Sequence, residues 1–252
     1  MTRKELYRAL DKRIPVAHKE DWDNDGAMLL PDAAFHVQRI LCTLDVSDEV
    51  VDYAKKNSFD LILSHHPLIF AGVKALDGEN PVSRRILLLL ASNIAVFSFH
   101  TRLDAMKGGV NDALARMIGL EDIALIDDGE GALGRVGMLP SPMPFEDFCA
   151  RVKDATGAPF VNTFKKTDTV SRVAVVGGEG KDFISLAEAA GADTYLSGRL
   201  GYHAMLDGEI NLIECGHYFS ERHTANLLAG LAAELLPHAE IEIYVPNSLT
   251  VY

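Results

Sequence analysis

The chain has 252 residues, with 36 acidic against 24 basic side chains and a formal net charge of -12. That charge repels phosphate backbones and anionic lipid surfaces, and makes nucleic acid a poor bulk partner. A hydrophobic share of 48% and a charged share of 24% exclude disordered and fibrous classes. Three scattered cysteines, Cys42, Cys149 and Cys215, exclude a disulfide framework and a Cys-x-x-Cys zinc site, and fit free thiols in a reducing cytosol. Residues 1–19 mix charge throughout without the apolar core of a signal peptide, and no apolar run reaches membrane-spanning length, so a cytoplasmic protein is expected.

Taken in chain order, a β-branched and Leu-rich strand is expected over 39–44, followed by a helix over 48–56 that opens at Ser47 with acidic residues in its first turn. A strand over 61–63, a buried helical run over 86–91 and a strand over 94–99 come next. A helix over 110–118 closes at Gly119. Strands follow at 173–176, 194–196 and 212–214, and a last helix runs from Glu221 towards Leu236, stopped by Pro237. Strands alternating with longer helical patterns predict an α/β fold with mainly parallel sheets. The segment 127–144 is rich in Gly, Pro and Asp and is expected to separate a first α/β half, 1–126, from a second, 127–252, the two forming one compact unit.

The halves share an internal likeness. Phe59-Asp-Leu-Ile-Leu-Ser64 parallels Ala192-Asp-Thr-Tyr-Leu-Ser197, and each ends where a strand should end. Further on, one strand leads to His100-Thr-Arg-Leu-Asp104 and another to His217-Tyr-Phe-Ser-Glu221: a strand, a histidine, then a carboxylate four residues later. Any two strand-to-helix turns of an α/β protein share some of this pattern. In either case these polar groups fall beyond the carboxyl ends of strands, where α/β sheets carry their ligand sites.

Adjacent His65 and His66 follow a buried apolar run. Neighbouring side chains in extended backbone diverge, so two ions could take one imidazole each where a single ion would strain to take both. An ordinary hydrogen-bonded pair at a strand end is the alternative. The spacing of His217 and Glu221 puts both on one face of a helical turn, and a Glu there can bridge paired cations; a helix N-terminus that favours an acid is the bland alternative. Asp104 adds a second carboxylate, and with it each of two ions would keep positions for water, as catalytic sites do. His100 is then read as a proton-handling or ligand-orienting residue, or as an ordinary hydrogen-bonded histidine.

Three other features carry less. His203 sits on a polar loop. The Gly-rich segments 107–109 and 176–180 match no phosphate-binding fingerprint and read as turns. Cys215 reads as a small strand-end residue, and the chain shows no Gly-x-Ser-x-Gly elbow.

Four separated motifs, Trp22-Asp-Asn24, Ser64-His-His-Pro67, His100-x-x-x-Asp104 with Gly109-Val-Asn-Asp112, and Gly216-His-Tyr-x-x-Glu221, occur in an order that resembles the Nif-three-like dinuclear-metal family, often labelled GTP cyclohydrolase 1 type 2 homologues. The likeness covers nearly the whole length. It implies that His65, His217 and Glu221 hold one ion, and that His66, Asp104 and the same Glu221 hold the other. It also implies a toroidal homohexamer with metal sites facing an interior cavity. The short 127–168 region implies the compact form, without the long insertion that some members carry between the halves. The segment after Trp22 departs from the family, which usually shows an apolar residue before Gly26 and a second glycine further on.

The expected activity is that of a metal-dependent hydrolase using metal-activated water, with zinc, iron, manganese or nickel as the two divalent ions. Its substrate would be a small molecule, with a guanine nucleotide such as GTP the one the family label points to. The alternative is a non-catalytic metal-handling or regulatory ring protein. Open coordination positions favour the enzyme.

Overall fold

The computed structural model describes residues 1–126 and 133–246. In chain order the elements are α1 (Arg3–Arg13), β1 (Gly26–Leu29), β2 (Arg39–Thr43), α2 (Asp48–Lys56), β3 (Leu61–Ser64), α3 (Pro81–Ala91), β4 (Ala95–Ser98), α4 (Thr101–Ala105), α5 (Val110–Met117) and β5 (Glu121–Leu125). There follow β6 (Arg135–Pro144), α6 (Phe145–Thr156), β7 (Asn162–Phe164), β8 (Thr169–Glu179), α7 (Ile184–Ala189), β9 (Thr194–Arg199), α8 (Tyr202–Asp207), β10 (Asn211–Glu214), α9 (His217–Glu221), α10 (Thr224–Leu235) and β11 (Glu240–Ile243).

The helix starts follow from local chemistry. Thr2 and Glu5 form a reciprocal capping box on α1, the Ser47 hydroxyl accepts from Val50 N–H at the start of α2, and the Asn80 side chain caps α3 with Pro81 in its first turn.

The strands form two mixed sheets among the described residues, in the orders β1-β4-β3-β2-β11 and β5-β6-β8-β9-β10-β7. In the first, β11, β2, β3 and β4 are parallel and only β1 is antiparallel. In the second, the parallel core is β8-β9-β10, and β5, β6 and β7 are added antiparallel. The mainly parallel expectation thus describes the first sheet and the core of the second.

The chain divides into two units, Met1–Leu103 with Thr224–Tyr252, and Asp104–His223. These differ from the expected halves of 1–126 and 127–252, because α10 returns to pack on β2 and β11 pairs with β2, while α5 and β5 join the second sheet. The expected junction also does not hold as a linker. Its first part, 127–132, lies outside the described residues, and the remainder is β6. Pro140, Pro142 and Pro144 are tolerated there because β5 pairs with β6 only up to Met138, so the missing N–H groups fall where the strand has a free side.

Each sheet is buried by alternation. In the first unit Leu41, Ile62 and Val96 face α2 and α3 through Val50, Ala54, Ile86 and Leu89. In the second, Val173, Val175, Leu196 and Ile213 meet α5 and α6, while Ala174, Val176, Tyr195 and Leu212 meet α7 and α8.

The internal likeness is structural. Asp60 accepts from the N–H groups of Gln38 and Arg39 at 2.8 Å each, and Asp193 accepts from those of Ser171 and Arg172 at 2.9 Å each. In both units an aspartate at the foot of the central strand ties down the start of its parallel neighbour. The carboxylate satisfies backbone donors that the ladder does not yet reach.

Candidate metal centre

In the first unit, β3 and β4 are parallel neighbours with Ser64 opposite Ser98, and their hydroxyl oxygens are 2.8 Å apart. The residues that follow them therefore emerge at one edge of the sheet, beyond the strands' carboxyl ends. This brings His65, His66 and His100 together. Their ring centroids are separated by 5.1, 5.3 and 5.7 Å, and one nitrogen from each lies within 4.8 Å of the others, so the three could hold a metal ion.

The hydrogen bonds set which nitrogen is available. His65 Nδ1 lies 2.8 Å from the carbonyl oxygen of Phe99. A carbonyl only accepts, so Nδ1 carries the proton and the Nε2 of the neutral ring carries the lone pair. His66 Nδ1 meets Asp45 Oδ1 at 2.7 Å and His100 Nδ1 meets Asp23 Oδ1 at 2.8 Å, which favours the same tautomer in each. Such oxygen partners orient metal-binding imidazoles and raise their basicity. The donor set thus suits a divalent ion.

Asp23 is buried and also accepts from the Thr101 hydroxyl at 2.7 Å and from Thr101 N–H at 3.1 Å. Burial by itself would raise its carboxyl. Hydrogen bonds from His100 Nδ1–H and from the two Thr101 donors instead bring it down to about 2. Asp23 is therefore a fixed anion behind His100.

In the second unit, β10 ends at Glu214 and α9 begins at His217, so His217 and Glu221 form a helical turn of their own. The expected single helix from Glu221 is instead two, because α10 starts only at Thr224. His217 Nε2 and Glu221 Oε2 are 3.0 Å apart, as the four-residue spacing requires. Glu221 is buried against Gly177 and Gly178, which lie within β8 where its pairing with β9 shifts register; the expected turn over 176–180 is thus largely strand. Gly178 has a φ of +66, and a Cβ there would lie 2.4 Å from Glu221 Oε1, so glycine serves both the left-handed backbone and the space for the carboxylate.

The same segment is held by Asn111, whose side-chain oxygen accepts from Gly177 N–H at 2.7 Å and whose amide donates to the carbonyls of Leu133 at 2.9 Å and Asp104 at 3.4 Å. Asn111 thereby links the end of α4, where buried Asp104 sits, to the wall behind Glu221. Beside it, Asp112 pairs with buried Arg135 at 2.7 Å.

Sequence reasoning singled out His65, His66, His100, Asp104, His217 and Glu221, but it missed the groups that aim them. Asp23 lies within the Trp22-Asp-Asn24 motif and had a usable signal. Asp45 follows β2 with none. Gly178 read only as a turn. His203, on α8, belongs to none of the metal-capable groups among the described residues. Cys215 is buried, and burial pushes its thiol up to about 12, as burial does for Cys42. Both thiols are thus poor nucleophiles. Iodoacetamide at pH 8 is expected to leave both unlabelled in the native protein, and Cys215→Ala to leave metal content unchanged; rapid labelling of Cys215, read by peptide mass, would contradict this.

The family profile described as Duf34/NIF3 (NGG1p interacting factor 3) matches residues 1–249. A Clostridium perfringens protein named GTP cyclohydrolase 1 type 2 homolog is 31% identical, over 86% of this chain and 86% of its own length. A Streptomyces coelicolor protein of the same name is 30% identical, over 98% of this chain and 91% of its own length. Among solved structures, a Staphylococcus aureus hypothetical protein superposes with a TM-score of 0.89 at 27% identity, covering 98% of this chain and 97% of the other. A Bacillus cereus protein related to NIF3 shares the fold with a TM-score of 0.90 at 20% identity, covering 100% and 99%. No helix among the described residues is long and apolar enough to cross a membrane.

Proposed function

The chain belongs to the Duf34/NIF3 family, and from that premise we propose that it is a dinuclear metal-dependent hydrolase. His65, His217 and Glu221 hold one ion in this reading, and His66, Asp104 and the same Glu221 hold the other. The observation that carries it is the common orientation of the imidazoles: each of His65, His66 and His100 has Nδ1 against an oxygen acceptor, which directs Nε2 lone pairs to one region. The buried Glu221, with Gly178 leaving room for its carboxylate, supports a bridging carboxylate.

The chemistry that zinc, iron, manganese or nickel would supply there is Lewis-acid activation of water for attack on an electrophilic carbon or phosphorus. His100, fixed by ionised Asp23, moves a proton to or from the reacting groups. The names of the relatives support a guanine nucleotide such as GTP as the substrate. The family resemblance supports a cytoplasmic homohexameric ring.

A second assignment for His100 is favoured by its place in the histidine trio, which makes it a ligand. Elemental analysis of native protein and of His100→Asn, with turnover on GTP and on phosphoesters, separates the two. A proton carrier keeps both ions and loses turnover by about 10²–10⁴-fold, whereas a ligand loses an ion as well. Native protein without metal would sink the whole reading; two ions without turnover on any substrate would leave a metal-handling protein.

A further inference from the structure

We propose that Trp22 and Phe70 form an aromatic clamp beside the histidine trio that binds the planar heteroaromatic ring of the substrate, a purine or pteridine. The inference deepens the hydrolase reading above and rests on it for the identity of the reacting group.

Both rings are large, apolar and mostly in water: Trp22 is 61% exposed and Phe70 55%. Isolated exposed apolar side chains carry no message, but these two meet each other, with ring centroids 6.1 Å apart at an interplanar angle of 61°. Each also meets His100, at 6.1 Å and 80° for Trp22 and at 6.2 Å and 85° for Phe70. The imidazole that Asp23 fixes is therefore edged by two aromatic rings whose outer surfaces face solvent.

The segments that carry them are held in place before any ligand arrives. The Asn24 side chain donates to the carbonyl of Ile69, tying the Trp22 segment to the residue preceding Phe70. Asp23, between Trp22 and Asn24, is fixed by Thr101 and His100, and Glu20 N–H donates to the Thr101 hydroxyl at 3.1 Å. An ordered pair of rings loses little entropy on binding.

The chemistry of the neighbouring side chains selects the ligand class. Aromatic faces on one side and lone-pair imidazole nitrogens on the other suit a flat ring with an apolar face and a polar rim. Nucleobases have this form, and stacking on aromatic side chains is a general way of holding them. It also gives a role to Trp22-Asp-Asn24: Asp23 orients His100, Asn24 sets the Phe70 segment, and Trp22 meets the ring.

Trp22 is the chain's one tryptophan, so its fluorescence, excited at 295 nm in the native protein, reports on the clamp directly. Saturable quenching is expected with GTP and with guanosine, and none with inorganic tripolyphosphate. Phe70→Ala should weaken guanosine binding by about 5- to 150-fold, the range for loss of one stacking ring. Both rings are exposed, so Phe70→Ala and Trp22→Ala are expected to fold and keep their metal, and both should raise the KM for GTP with little change in kcat. Tripolyphosphate quenching as strongly as GTP, or no saturable response to any purine or pteridine, overturns the clamp. Unchanged KM in both variants overturns it while leaving the hydrolase intact. Guanosine quenching without turnover supports the clamp and counts against the hydrolase.

Discussion

Glu221→Ala is expected to reduce metal content from two ions per chain to near none and turnover to background, whereas Asp104→Ala should retain about one ion, because a shared ligand and a single-ion ligand have different consequences. The proposed bridge requires Glu221 to serve both ions, and its surroundings suit that task. The carboxylate is buried, paired with His217 at 3.0 Å, and backed by a glycine where any side chain would collide with Oε1. A buried carboxylate without a cation close by would be costly. Its removal is therefore expected to affect fold stability less than metal retention, and elemental analysis alongside a thermal melt reads both. Equal metal loss from the two variants would contradict the bridge, and full retention in Glu221→Ala would remove Glu221 from the site.

Asp112→Asn carries the largest expected stability cost. Asp112 Oδ2 receives Arg135 Nε at 2.7 Å with both side chains almost fully buried, and Arg135 also donates to the carbonyls of Leu133, Gly134, Ala105 and Met106. Removing one partner of a buried ion pair leaves the other charge uncompensated, at a cost of 3–5 kcal/mol. The four carbonyls soften this to about 3 kcal/mol, a fall in Tm of about 6–12 °C for a chain of this size. Arg116 also reaches Asp112, at 3.5 Å, but from an exposed position, so Arg116→Ala should change stability by less than about 1 kcal/mol. Calorimetry on the two variants makes the comparison; an Asp112→Asn protein as stable as the parent would mean that the carbonyls alone hold the guanidinium.

The Asp112 case also explains a motif. In Gly109-Val-Asn-Asp112 neither polar residue is a proposed ligand. Asn111 links the end of α4 to Gly177 of β8, and Asp112 neutralises the arginine beneath it. Sequence position alone marked these residues as belonging together with Asp104. Their jobs depend on Arg135 and Gly177, which are distant in the chain and so give no local signal.

Some features follow from local chemistry and were legible in the chain itself. The central strands of both sheets, α2 with its Ser47 cap, and α5 follow from apolar period and capping, which depend on residues within a few positions of each other. The repeat of Asp60 and Asp193 was visible because the same foot-of-strand task calls for the same residue. His65, His66, His217 and Glu221 stand out in the chain as candidates because the ends of parallel strands are where an α/β sheet carries its chemistry.

Tertiary structure alone decided the rest. β6 read as a linker because its prolines are tolerated only where β5 has ended, and β1, β7 and β11 are short, partly exposed strands without the continuous apolar run of the buried central strands. The return of α10 and β11 to the first sheet is a long-range pairing with no local code. Asp45 became the partner of His66, and Gly178 the wall of Glu221, through contacts across 21 and 43 positions of chain. The residue types able to bind metal are written locally, whereas their orientation is set by hydrogen bonds and close approaches that exist only once the sheets have formed.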